Sequence, residues 1–97
     1  MYKNEMELAD ERIRTLIDKA TIDELIKKTE IGGTRWRTVR YDKRTRISTQ
    51  ELSALVTLYP QYALWLASGQ IAPDCGQTSP DYDEAKAHSD SPNQNVG

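Results

Sequence analysis

Between Arg35 and Arg46 the chain carries six cations, Arg35, Arg37, Arg40, Lys43, Arg44 and Arg46, with Asp42 as the only acid among them. The whole protein has thirteen basic residues and a net charge of −2. Nearly half of its positive charge is therefore packed into one short stretch. Cations at this density attract a chain of phosphates. Guanidinium groups also pair bidentately with phosphate or with a guanine edge, and a threonine methyl can meet a thymine methyl. The types and spacing of these residues point to recognition of an anionic polymer.

Other chemistry is poorly supplied. Cys75 is the single cysteine and His88 the single histidine. One thiol can form neither an internal disulfide nor a zinc site, and no histidine is placed to activate it. Asp81, Asp83 and Glu84 read as a solvating acidic run, because a calcium loop needs more oxygen ligands and a defined turn glycine. The expectation is a binding protein, not an enzyme, without metal or cofactor. Met1 to Asp10 is polar and acidic, unlike a signal peptide. The apolar-rich stretch from Leu52 to Ala67 is broken by Pro60 and too polar to span a bilayer. These features imply a cytoplasmic protein with no membrane partner.

Charge divides along the chain. Up to Ile71 there are twelve basic and ten acidic residues, and beyond it Lys86 faces Asp74, Asp81, Asp83, Glu84 and Asp90. A mildly basic body is followed by an acidic tail, an asymmetry common among nucleic-acid binders.

Helices must position the cations. Asn4 with Glu7 is a candidate capping box, and Ile13, Leu16, Ile17 and Ala20 recur at helical spacing, giving a first helix over residues 5–19. Thr21 with Glu24 opens a second, from Ile22 to about Thr29. Gly32 and Gly33 break the pattern, and a third helix runs from Gly33 to Tyr41 with Trp36 and Val39 on one face. Residues 42–47 form a basic loop. Ser48 with Glu51 caps a fourth helix, in which Leu52, Leu55, Val56 and Tyr59 make an amphipathic stripe. Pro60 turns the chain into a fifth helix over residues 61–67, ended by Gly69. With Trp36 and Val39 inward, the helical period turns Thr34, Arg35, Arg37, Thr38 and Tyr41 outward or to the flanks.

Thr21-Ile22-Asp23-Glu24-Leu25, then Ile31 to Val39 across the turn and third helix, resemble the lambda-repressor-like (XRE or Cro/repressor type) DNA-binding family. Tyr62 to Gly69 is similar to the Trp-Leu-x-x-Gly that closes many such domains, and the run from Tyr59 to Pro80 looks like that of small regulators in proteobacterial prophages. The resemblance covers roughly residues 13–69. It implies an all-α, compact five-helix domain over residues 1–71. Beyond Ile71 the composition turns to Pro, Gly, Ser, Asp and Asn, which gives an extended acidic tail over 72–97, disordered after about residue 84. The resemblance also implies a phage or prophage repressor or Cro-like transcriptional regulator, a homodimer on double-stranded DNA. Gly33, Thr34, Arg35, Arg37 and Thr38 would read bases, while Arg40, Lys43, Arg44 and Arg46 would bind phosphates. Dimerisation through the fifth helix and the segment after it is the expectation by analogy.

Two positions depart from that pattern. Glu30 stands where the family favours glycine or asparagine, which implies a left-handed residue in the turn at a cost of about 1 kcal/mol. Ile26 replaces a usual alanine, which implies helices two and three packed further apart. Gly33 also stands where the family often supplies a base-reading glutamine. The departures at Glu30 and Gly33, with the acidic tail, define a rival reading: the same fold used to grip an acidic host partner as an inhibitor.

Overall fold

The computed structural model describes residues 5–89, which form six helices and, among these residues, no strand. Helix α1 spans Glu5–Ala20, α2 Ile22–Lys28, α3 Gly33–Tyr41, α4 Thr49–Leu58, α5 Ala63–Ser68 and α6 Pro80–Ser89. Short 3-10 turns at Pro60–Tyr62 and Pro73–Cys75 lie between them. The all-α architecture expected from the helical spacing is present. The box expected from Asn4 lies outside the described residues. No helix among those described is long and apolar enough to cross a membrane.

Helix α1 is the spine. Its Ile13, Leu16 and Ile17 meet Leu25 of α2, Ile31 of the turn, Trp36 and Val39 of α3, Leu55 of α4 and Leu66 of α5 in one buried cluster. It packs on α2, α3 and α5, and α2 packs on α3. Two arginines of α1 also hold helix ends, where the last carbonyls lack helical partners. Arg12 Nε donates to Leu66 O of α5 at 3.3 Å, and its guanidinium lies over Gly69, the left-handed residue that ends α5. Arg14 Nε donates to Val39 O of α3 at 2.9 Å.

Thr21 separates α1 from α2 with a φ of 74°, unusual and strained for a β-branched residue. Its hydroxyl accepts from Glu24 N at 3.3 Å, capping α2 as Thr-x-x-Glu predicts. At α4, Glu51 Oε1 reaches back to Ser48 N at 2.9 Å and to Ser48 Oγ at 2.8 Å.

The segment after Ile71 differs from the extended tail that its composition implies. Ala72 and Gln77 pair in a small antiparallel bridge. Gln77 then serves the body of the domain: its Oε1 accepts from Leu64 N at 2.9 Å and its Nε2 donates to Pro60 O at 3.0 Å. Past residue 84, where disorder is expected, α6 continues to Ser89. Ser79 Oγ accepts from Tyr82 N at 3.0 Å, Pro80 stands in the first turn, and Asp81 and Asp83 sit favourably at the positive end of the helix dipole. Lys19 of α1 bonds Glu84 at 2.7 Å, and the Tyr62 hydroxyl donates to Asp83 at the same distance. Burial, with this bond to Asp83, pushes the Tyr62 hydroxyl up to about 12, so it stays protonated and keeps donating.

Candidate nucleic-acid interface

The α2–α3 unit is locked by a threonine that the sequence does not advertise. Thr29 is extended at the end of α2. Its Oγ1 donates to Leu25 O at 2.6 Å and accepts from Ile31 N at 3.3 Å and Trp36 Nε1 at 3.2 Å. The indole, fully buried, thus has its polar atom satisfied. Leu25, Ile31, Trp36 and Val39 are all buried, as the spacing implies. Glu30 is not left-handed, since Thr21 is the only non-glycine residue with positive φ among those described. The turn instead closes through the Thr29 hydroxyl, so the expected strain at Glu30 is absent.

The second departure also has a physical answer. A β-carbon placed on Gly33 would lie 2.8 Å from Ile26 Cδ1 and 3.2 Å from an Arg37 terminal nitrogen. The large side chain on α2 fills the space left by the bare first residue of α3. Ile26 and Gly33 are a complementary pair, and Gly33 is half-covered instead of open to a ligand.

On the other side of α3, Thr34, Arg37, Thr38 and Tyr41 are exposed at positions i, i+3, i+4 and i+7. Trp36 and Val39, each 0% exposed, fix the helix about its axis so that this stripe stays outward. Thr38 Oγ1 donates to Thr34 O at 2.9 Å, so its hydrogen is already used within the helix. No carboxylate pairs with Arg37 among the described residues. Tyr41 is 67% exposed and Ile26 38%, and the Arg40 guanidinium stacks 5.0 Å from the Tyr41 ring centroid. Apolar surface therefore stands at both ends of a polar stripe.

The other arginines are engaged. Arg35 donates to Glu51 Oε1 at 2.8 Å and to Arg46 O at 3.1 Å, so it braces α3 against α4 and leaves the base-reading set. Burial alone would push Glu51 up, but the Arg35 guanidinium and the Ser48 N–H and hydroxyl outweigh it, leaving the carboxyl below its usual range. Arg40 pairs with Asp18 at 3.0 Å, Arg44 with Asp42 at 3.3 Å and Arg46 with Asp10 at 3.3 Å. The Arg44 backbone N–H and then its side chain hold Asp42 below its ordinary value. Lys43 is exposed and pairs with no described carboxylate.

Of the nine site residues read from sequence, Thr34, Arg37 and Thr38 share the outer face of α3, with Gly33 half-covered at its start. Arg40, Lys43 and Arg46 line one groove with α1, and Arg44 stands at 93% side-chain exposure on the loop. Sequence reasoning placed Ile26 against helix three but missed the buried Arg14 as a neighbour of this surface. For Arg14 the one available hint is a cation within the apolar run Ile13 to Ile17.

A small helical protein with one short helix held outward beside a basic groove is the class that these features define. The chain matches no model of a known protein family and no curated protein. A solved structure does match: Pf6r from the filamentous phage Pf6 of Pseudomonas aeruginosa PA01, at 53% identity and a TM-score of 0.72. The match covers 76% of this chain and 96% of Pf6r. The chain belongs to the same family as Pf6r.

Proposed function

We propose that the protein is a sequence-specific double-stranded DNA-binding regulator of phage type, built on a lambda-repressor-like arrangement in which α3 enters the major groove. The observation that carries this reading is the exposed stripe Thr34, Arg37, Thr38 and Tyr41 on a helix held by a fully buried tryptophan. Arg37 supplies a bidentate donor for guanine, and the threonines supply hydroxyl and methyl contacts. Arg44 and Lys43 on the following loop supply phosphate contacts that set register without reading sequence. Kinship with a phage protein supports the biological setting. The role is binding, not catalysis, and the protein acts in the cytoplasm as a homodimer on half-sites about one helical turn apart.

Selection of bound fragments from random duplex DNA, followed by titration at two salt concentrations, tests the reading. A recovered motif with affinity falling steeply with salt is the expected result. Arg37→Ala and Thr34→Ala should relax preference within that motif, whereas Arg44→Ala should weaken every duplex alike and shallow the salt slope by about 1. Absence of binding at low salt, with a host protein co-purifying, would replace DNA by a protein partner.

A further inference from the structure

A groove of about 650 Å³ runs between α1 and the loop after α3, and the stripe on α3 does not account for it. Arg14 lines it while being only 8% exposed. Besides Val39 O, the Arg14 guanidinium bonds Thr45 O at 2.7 Å and Lys43 O at 3.4 Å. An arginine cannot shed its proton in a protein. A full positive charge is therefore fixed in the groove by carbonyl dipoles, with no carboxylate paired to it among the described residues. Lys43 likewise pairs with no described carboxylate. Arg40, Arg46 and Lys19 complete the basic lining; Arg40 and Arg46 are tethered by carboxylates of α1, Asp18 and Asp10 respectively, Lys19 by Glu84 of α6, and Glu11 adds a third carboxylate to the groove.

We propose that this groove binds a phosphodiester, and that Asp10 and Asp18 are built-in competitors holding Arg46 and Arg40 in reserve until a phosphate displaces them. Assignment of the phosphate to duplex DNA rests on the function proposed above; the site itself does not. The Arg40–Asp18 pair, with its carboxylate 61% exposed, is weak and the more readily exchanged of the two, the Asp10 side chain being 13% exposed; phosphate accepts two parallel bonds from a guanidinium. Exchange leaves each arginine with an anion and gives Arg14 its first counterion. The displaced carboxylates remain close to the phosphate and repel it, so each lowers affinity. The arrangement attenuates phosphate binding without removing the cations that perform it.

The experiment uses the full chain and two probes, inorganic pyrophosphate and a mixed-sequence duplex, with polyglutamate as a control anion. Pyrophosphate should shift the Arg14 Nε–H resonance and the Lys43–Thr45 amides. Asp18→Asn, at a position whose side chain is 61% exposed, should tighten pyrophosphate and duplex alike by about two- to five-fold. It should also steepen the dependence of log affinity on log salt by about 0.9. Asp10→Asn should act in the same direction, and Lys43→Gln in the opposite one. Normal duplex binding with no pyrophosphate shift at Arg14, or with Asp18→Asn neutral, would overturn the groove and leave the DNA reading standing. Polyglutamate binding as tightly as the duplex would overturn phosphate selectivity. Pyrophosphate binding tightened by Asp18→Asn, with no duplex bound at any salt, would keep the groove and overturn the DNA reading.

Discussion

On the outer face of α3, Thr34, Arg37 and Tyr41 stand in solvent and no described carboxylate pairs with Arg37. Beside it, Arg40, Arg44 and Arg46 are each engaged by an aspartate. Both regions contribute to the same run of cations, yet they offer different things. The helix face offers a guanidinium with no described carboxylate partner on a rigid support. The loop and groove offer charge that must first be exchanged. Charge counted along a sequence therefore overstates the charge that a ligand meets, because each exposed pair is worth only about 0–1 kcal/mol but still screens its partner.

The support is the first thing to break. Trp36→Ala removes the largest fully buried side chain and should cost about 3–5 kcal/mol. Chemical denaturation measures it, and a loss below about 1 kcal/mol would mean that α3 is not held by its tryptophan. The next contrast pits two arginines only two residues apart. Arg37→Ala should leave stability within about 0.5 kcal/mol of the parent while weakening binding to a preferred duplex by about 1–3 kcal/mol. Arg35→Ala should do the reverse, lowering stability by breaking the tie to Glu51 and leaving sequence preference intact. Equal behaviour of the two variants in paired unfolding and binding titrations would erase the distinction between frame and face.

A smaller effect follows from Glu51. Its carboxyl sits below the ordinary value in the folded protein, so its contribution is present above the unfolded carboxyl range and is lost as pH falls through the folded value. Glu51→Gln should cost on the order of 1 kcal/mol at neutral pH and flatten the decline of stability below about pH 4.5. A denaturation series from pH 7 to pH 3 shows whether the two curves converge. The smallest effect is expected where helix meets helix. Gly33→Ala gains helix propensity of up to about 1 kcal/mol, offset by displacing the end of Ile26, so stability should barely change. In an Ile26→Ala background the same change should stabilise by about 0.5–1 kcal/mol. Additive behaviour across the double-mutant cycle would show that the two side chains are independent.

Local signals carried the helices. The Thr21–Glu24 and Ser48–Glu51 spacings, the paired glycines before α3 and Pro60 placed the starts of four helices at or within two residues of where they stand. The apolar spacing in α1 and α3 named most of the core. Beyond Ile71 composition and local pattern point in opposite directions, and the local pattern prevails. Asp81, Asp83 and Glu84 looked like a solvating tail, yet Ser79-Pro80-Asp81 is a helix start, and Lys19 and Tyr62 supply the partners that dock it.

Which face of α3 is buried follows from local spacing, because a 3.6-residue period with Trp36 and Val39 on one side leaves no other arrangement that hides both. The order of residues alone also shows where positive charge is concentrated. Which of those charges are available depends on contacts between residues far apart in the chain. Arg35 meets Glu51 across sixteen residues, Arg46 meets Asp10 across thirty-six, and Arg14 reaches Thr45 across thirty-one. Pairings at such separations are set by how α4 and the loop after α3 lie against α3 and α1, not by local spacing. Ile26 and Gly33 likewise look like two unrelated oddities until the helices touch and each fills the other's gap.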